Sequence, residues 1–453
     1  MTLQKRRTAF YSLLALFVIF GGAVILYSTG WRLDFRTMKI EKVGAILVKS
    51  FPSDAEISLN GKPVQNETGL LRSGTLIGNL FPTNYKLKLS TNNFKTWEEN
   101  ISVSPSMVTE VNAVLVPQGL DAVATGTIQN FWLLNGGLIV KNQSGSLLVL
   151  DGSLSSPGSG EAEKKIGKGD VINWTGDSEY VLAFNQNTGV YSWNDLLSGT
   201  SVNLNSALKK AGLDVKPGVS IWADPSDKRR LVVSGKTKIY LFDVENLSLT
   251  NIYKAASGTT PGPKIAPSQF YLAWTQFNSA QNTSTIIVYD KFLRRPLGNT
   301  AEFKGANKEI EWMADKKIAV LQEDGELYLY DPSDGASTKL ADDVKEFALS
   351  GDGSAVAALG NNALEIIPLN QDQNYHRFNL PEKDTIEGIY WYADNEHLFV
   401  SYPDHISFLD LNDAGLSNFA TVATGTMTSA YDTDANRLYI LKNDGLFGMD
   451  FPN

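Results

Sequence analysis

The chain of 453 residues contains no cysteine at all. That excludes disulfides, thiolate metal sites, iron–sulfur clusters, cysteine nucleophiles and the acylated cysteine of a lipoprotein. Histidine is nearly as scarce: His376, His397 and His405 do not stand at metal-ligand spacing, and packing or surface roles are expected for all three. Basic residues fall short of acidic ones, 40 against 49, and the net charge of −9 argues against a nucleic-acid partner. No phosphate-binding loop, dinucleotide fingerprint or Gly-x-Ser-x-Gly elbow occurs. Long apolar runs are also missing, with one exception, so a polytopic membrane protein is excluded. A 43% hydrophobic share still suffices for a folded chain.

The exception lies at residues 8–31, which carry no formal charge and centre on an apolar stretch at 13–20. About 20 helical residues cross a bilayer core, so this run predicts a single transmembrane helix. A cleaved signal peptide is the rival reading, but its apolar part usually covers only about 7–15 residues. Lys5, Arg6 and Arg7 precede the run, which assigns residues 1–7 to a cytoplasmic tail and the rest to the extracytoplasmic side of the cell membrane. Residues 32–43 read as a linker, mixing Arg32, Arg36, Lys39 and Lys42 with Asp34 and Glu41. Charge divides along the chain: +3 over residues 1–30, +2 over 31–118 and −14 beyond. The membrane-proximal part therefore suits anionic lipid, whereas the acidic body would be repelled by it.

Residues 44–117 alternate with the period of short strands. Tyr85, Leu87 and Leu89 point one way and Lys86 and Lys88 the other, while Asn60-Gly61 supplies a tight hairpin turn. Pro52 cannot donate to a sheet ladder and separates two strands. The run from Val43 to Lys62, with Pro52-Ser53-Asp54-Ala55 within it, resembles the opening of a PEGA domain. Phe81-Pro82-Thr83-Asn84-Tyr85 resembles that family's second landmark, with Thr83-Asn84 replacing the usual glycine. The resemblance implies a small β-sandwich of surface-associated prokaryotic envelope proteins and no catalysis.

From residue 119 to 453 the chain repeats itself. An aromatic or apolar residue is followed three positions later by a turn former at Trp132/Asn135, Trp174/Asp177, Trp312/Asp315, Leu349/Asp352, Trp391/Asp394 and Tyr431/Asp434. Trp222 fits with a shifted acid, Asp224 or Asp227, and Ile265/Ser268 fits weakly. A second landmark ends later apolar runs in an acid or amide, as at Asp151, Asp243, Asp290, Asp331, Asn370, Asp410 and Asp450. An all-β repeat of about 40–45 residues predicts propeller blades of four strands. The count is eight blades, with seven as the alternative if the unit around Ile265 is irregular. The last unit holds only three strands, so residues 120–126 are expected to complete it and close the ring. The repeat resembles WD-repeat-like and TolB-like propellers at the level of the fold.

Little in the sequence suggests chemistry. The repeated acids suit turns, since Asp and Asn cap their own backbone there. The regularly spaced tryptophans suit packing between blades. Asp432-Thr433-Asp434 begins like a calcium loop but has Arg437 and Asn443 where Gly and Glu belong. Ser206 and Lys209 match a bare Ser-x-x-Lys without its further motifs. No catalytic, cofactor-binding or metal residue is assigned. The expectation is a mainly β, single-pass membrane protein that binds a protein or cell-wall polysaccharide. The alternative is an envelope-acting hydrolase, on glycan or peptide, with carboxylates at the propeller channel mouth.

Overall fold

The computed structural model describes residues 3–35, 38–69, 72–134, 137–151, 164–314, 316–361, 363–369, 376–379, 386–411, 419–425 and 428–452. An N-terminal helix spans Leu3–Ser28, and within it Arg6–Ser28 is long and apolar enough to cross a membrane. It ends before the uncharged run does. The Thr29 and Gly30 N–H groups donate to the carbonyls of Ile25 and Tyr27 (3.0 and 3.2 Å), and Gly30 takes φ 87°. A left-handed glycine of this kind closes a helix and redirects the chain. Trp31 consequently already belongs to a strand, and residues read as a linker instead form a ribbon of Trp31–Asp34 paired with Lys39–Lys42.

The small domain is a sandwich of two sheets. One orders Thr75–Leu80, Gly44–Phe51 and Val108–Val114; the other orders Lys62–Val64, Glu56–Leu59, Asn84–Ser90 and Trp97–Ser102. Burial alternates along Gly44–Phe51, as a strand with one face on a core demands. Ile46, Val48, Ile57, Leu87, Leu89 and Leu115 fill the space between the sheets. Asn60 (φ 50°) and Gly61 (φ 76°) make the tight turn the dipeptide predicts.

The body of the chain is a propeller of eight sheets among the described residues. Blades 1 to 7 follow chain order and begin with Ile128–Leu134, Asp170–Trp174, Ser220–Ala223, Thr259–Pro267, Asn307–Met313, Glu346–Leu349 and Gly388–Trp391. First strands of neighbouring blades approach one another around the ring, and Ile128–Leu134 of blade 1 meets Thr428–Asp432 of blade 8. Blade 4, around Ile265, is a full blade with a bulge between Pro261 and Ile265, which removes the seven-blade alternative. Blade 8 combines Thr428–Asp432, Arg437–Lys442 and Gly445–Asp450 with Asp121–Thr125 from the start of the domain.

Hydrophobic layers lie between blades. Met313, Leu321 and Leu327 pack with Val356 and Ile367, joining blades 5 and 6; Ile128 and Leu138 pack with Leu441 and Leu446, joining blades 1 and 8. The repeated tryptophans belong to these layers. Trp312 donates its indole N–H to the Ala266 carbonyl (2.8 Å) and Trp391 to that of Ala348 (3.0 Å), each reaching the preceding blade. An indole buried this way contributes area and satisfies its one donor.

Closure depends on a position that tolerates no side chain. Gly445, at φ 155°, faces the closing strand, and a Cβ there would sit 2.4 Å from the Ala124 oxygen. Gly445→Ala is therefore expected to cost about 1–3 kcal/mol. The loss should be read by urea denaturation, with the amides of Asp121–Thr125 exchanging faster while those of blade 4 are unchanged.

Candidate functional site

Most of the repeated acids are committed to the backbone. Asp177 accepts the Glu179 N–H (3.1 Å) and the Thr175 hydroxyl (2.6 Å); Asp352 accepts the Ser354 N–H (2.9 Å) and the Ser350 hydroxyl (2.8 Å). Asp243 accepts the Asn246 N–H and Asp290 those of Phe292 and Leu293, all at 2.7–2.8 Å. The Asn246 N–H holds the Asp243 carboxyl below its ordinary range, and the Ser333 hydroxyl does the same for Asp331. In blade 8 the role shifts by two residues: Asp432, not Asp434, accepts the N–H groups of Asp434 and Ala435. Asn135, Asp315 and Asn370 lie outside the described residues.

Asp224 does more than turn the chain. It is almost fully buried and binds Lys291 of the next blade at 2.5 Å, while Lys291 also donates to the Ser268 carbonyl. Asp394 and Asp410, the two repeated acids of blade 7, converge on His397. Its Nδ1 lies 2.7 Å from Asp394 Oδ2 and its Nε2 3.6 Å from Asp410 Oδ2, with the ring stacked 4.9 Å from Phe408. Burial alone would lower its pKa, but the bonds to Asp394 and Asp410 outweigh it and raise it to about 9. His405 sits at the other end of the same hairpin, where the Tyr402 N–H donates to its carbonyl, so the two histidines do not meet. It stacks on Tyr402 at 4.3 Å and pairs with Asp404. His376 opens the fourth strand of blade 6.

Four glutamates lie on or beside first strands. Glu309 and Glu311 share one strand of blade 5, Glu346 opens blade 6, and Glu387 immediately precedes the first strand of blade 7. None of the four has a salt-bridge partner among the described residues. Glu311 is open to water yet walled by protein, as a side chain in a narrow channel is; desolvation, then Glu309, pushes it up to about 7. Desolvation and Glu309 also raise Glu346 across the blade boundary, against the Ile389 N–H and Lys308. Tyr390 donates to the Ser429 carbonyl (2.7 Å), and desolvation, then Glu346, pushes it up to about 12. The channel wall of blades 5 to 7 thus gathers mutually repelling carboxylates.

A cavity of about 570 Å³ between blades 5 and 6 contrasts with this wall. Its Glu365 pairs with Arg377 at 3.4 Å and its Asp342 with Lys339 at 2.5 Å, while Asp343 also lines it. Among the described residues no group of three or more histidines and acids could hold a metal ion.

Residues 43–118 match the PEGA domain family. That stretch is a PEGA domain. No curated protein matches the chain in sequence. Similar solved structures include an oligogalacturonate lyase in complex with manganese, 9% identical over 74% of this chain and 99% of that one (TM-score 0.46). An oligogalacturonate lyase from Vibrio parahaemolyticus is 11% identical over 73% of this chain and 99% of that one (TM-score 0.44). A eukaryotic initiation factor is 12% identical over 73% and 87% (TM-score 0.50) and shares the fold alone.

Two titrations test this description. Because the folded His397 pKa of about 9 exceeds its ordinary 6.5, its contribution is full below pH 6.5 and lost as pH rises through 9. Unfolding free energy should fall by about 3 kcal/mol across that window, and His397→Gln should flatten the profile there. In the channel, Glu309→Gln removes a like charge, so the Glu311 midpoint should drop below 7 and that of Glu346 should drop with it, as followed by carboxyl carbon NMR.

Proposed function

We propose that the protein is a single-pass, membrane-anchored binding protein whose PEGA domain and propeller lie outside the cytoplasmic membrane. Its N-terminal helix holds it in the cell membrane, and the propeller binds a protein or a cell-envelope polysaccharide. The observation that carries this reading is the division of labour among the acids. Those repeated through the blades are tied to backbone N–H groups, to Lys291 or to His397, and serve a closed, rigid ring rather than a reaction. Rigid rings bind through loops and channel mouths, where backbone is exposed and variation is tolerated. The unneutralised carboxylates of blades 5 to 7 favour a partner bearing basic side chains or amines.

A second reading, an envelope hydrolase, draws on one observation: Glu311, pushed up to about 7 by desolvation, resembles a general acid, with a second carboxylate, Glu309, on the same strand. The placement favours it less. Glu309 and Glu311 project side by side from one strand, whereas glycoside hydrolysis wants carboxyls flanking the scissile bond.

Crosslinking in intact cells with the full chain as bait, repeated with a chain lacking residues 119–453, tests the binding role. The partners should be lost with the propeller; their recovery by the truncated chain would sink the proposal. Protease added to intact cells, with the outer membrane permeabilised if there is one, should degrade residues 119–453, and their survival beside a degraded extracytoplasmic control would reverse the assigned orientation. Release of soluble fragments from envelope glycan or peptide that stops with Glu311→Gln would favour the hydrolase.

A further inference from the structure

The ribbon at residues 31–42 is a structure without an evident core. Its register places Trp31 opposite Lys42, Arg32 opposite Glu41, Leu33 opposite Ile40 and Asp34 opposite Lys39. Residues opposite each other in an antiparallel pair share a face, and neighbours along a strand alternate. One face therefore holds Trp31, Leu33 and Ile40; the other sets Arg32 against Glu41 and Asp34 against Lys39. Phe35 and Met38 extend the apolar character toward the turn. Beyond the half-buried Trp31 exposure is high: 41% for Leu33, 80% for Phe35, 72% for Met38 and 60% for Ile40. A lone two-stranded hairpin is marginal in water, and one with its apolar face bare is worse placed still.

What the ribbon adjoins supplies the missing partner. It starts three residues after the helix ends at Ser28, and the Val43 N–H donates to the Gly30 carbonyl (2.9 Å), closing the ribbon's base onto the helix end. Arg32 lies 3.5 Å from the centre of the Tyr27 ring and donates to the Trp31 carbonyl and to Asn79. Lys42 lies 5.5 Å from the Trp31 ring. Tyr and Trp beside basic groups at the end of a span are the residues that settle at a membrane–water interface. At about 1.5 Å per residue the helix brings Ser28 to the edge of a hydrocarbon core about 30 Å thick.

We propose that this ribbon is a second membrane anchor. It lies in the head-group layer of an anionic bilayer, with Leu33, Phe35, Met38 and Ile40 among the ends of the acyl chains and Lys39 and Lys42 at lipid phosphates. The inference rests on the reading of the N-terminal helix as a membrane span. Lipid is favoured over a protein partner because the ribbon follows within three residues of a helix whose apolar residues, Phe20 and Val24 to Tyr27 among them, are exposed as well.

The cysteine-free chain makes the test clean. Val18→Cys, Phe35→Cys and Ile40→Cys variants of the full chain are each labelled with an environment-sensitive dye and placed in phosphatidylethanolamine vesicles with and without phosphatidylglycerol. The dye's cysteine adduct in solution sets the water baseline. A quencher carried high on the acyl chain should cut the emission at residues 35 and 40 by about twofold or more, with stronger quenching in the anionic vesicles. A quencher carried deep on the chain should do the same at residue 18. Quenching at 18 with water-like emission at 35 and 40 would overturn the ribbon and leave the helix anchor standing. Water-like emission at 18 would overturn the anchor itself, and the ribbon with it.

Discussion

Everything in the large domain depends on one antiparallel pairing, that of Asp121–Thr125 with Gly445–Asp450. A propeller blade has apolar side chains on both faces and cannot bury either alone, so stability comes from neighbours on both sides. An open array would leave two terminal blades half-solvated and an unpaired edge at the last strand. The closing strand removes that defect at blade 8 by bringing the two ends of the domain into one sheet. The layer of Ile128, Leu138, Leu441 and Leu446 then forms between the first and last blades as elsewhere in the ring. With no cysteine in the chain, this pairing is the fold's substitute for a covalent clasp.

The polar side chains fall into two populations. Asp177, Asp243, Asp290 and Asp352 accept N–H groups in turns, where a short carboxylate replaces a backbone carbonyl. Asp224 and Asp410 are drawn inward, and each takes a cation with it, Lys291 or His397, while Asp394 holds the other side of His397 from an exposed position. That follows from desolvation: a carboxylate removed from water needs a partner charge or donors to remain charged. Glu311 has neither arrangement and Glu346 only the Ile389 N–H, and desolvation raises both.

How much of this was legible follows from what repeats. Trp391 and Asp394 could be placed because the same turn recurs around the ring, and the PEGA strands because Leu87 and Leu89 alternate with lysines. Strand closure was legible because the last unit lacked a strand and the first residues supplied one. The channel glutamates were not, since Glu311 and Glu346 occupy unrepeated positions and only the ring brings blades 5 and 6 together. The ribbon was hidden by its charges: Arg32, Asp34, Lys39 and Glu41 masked the alternation of Trp31, Leu33 and Ile40, and the mixture read as a linker. The helix end was missed because Thr29, Gly30 and Trp31 carry no charge, whereas the stop is conformational, at the positive φ of Gly30.

The contrast between the two acidic regions of blades 5 and 6 bears on which one is a surface for others. Between these blades, Glu365 and Asp342 have Arg377 and Lys339 beside them, so most of that charge is paired within the fold. Along the same two blades, desolvation and then Glu309 raise both Glu311 and Glu346, and only the Ile389 N–H and Lys308 pull Glu346 back. Self-repulsion of this kind lowers stability and would be relieved by a single Lys or Arg substitution on either strand. A closed ring with hydrophobic layers between its blades tolerates the repulsion. Tolerance makes the arrangement possible, and a cationic partner entering the channel would turn the same repulsion into attraction.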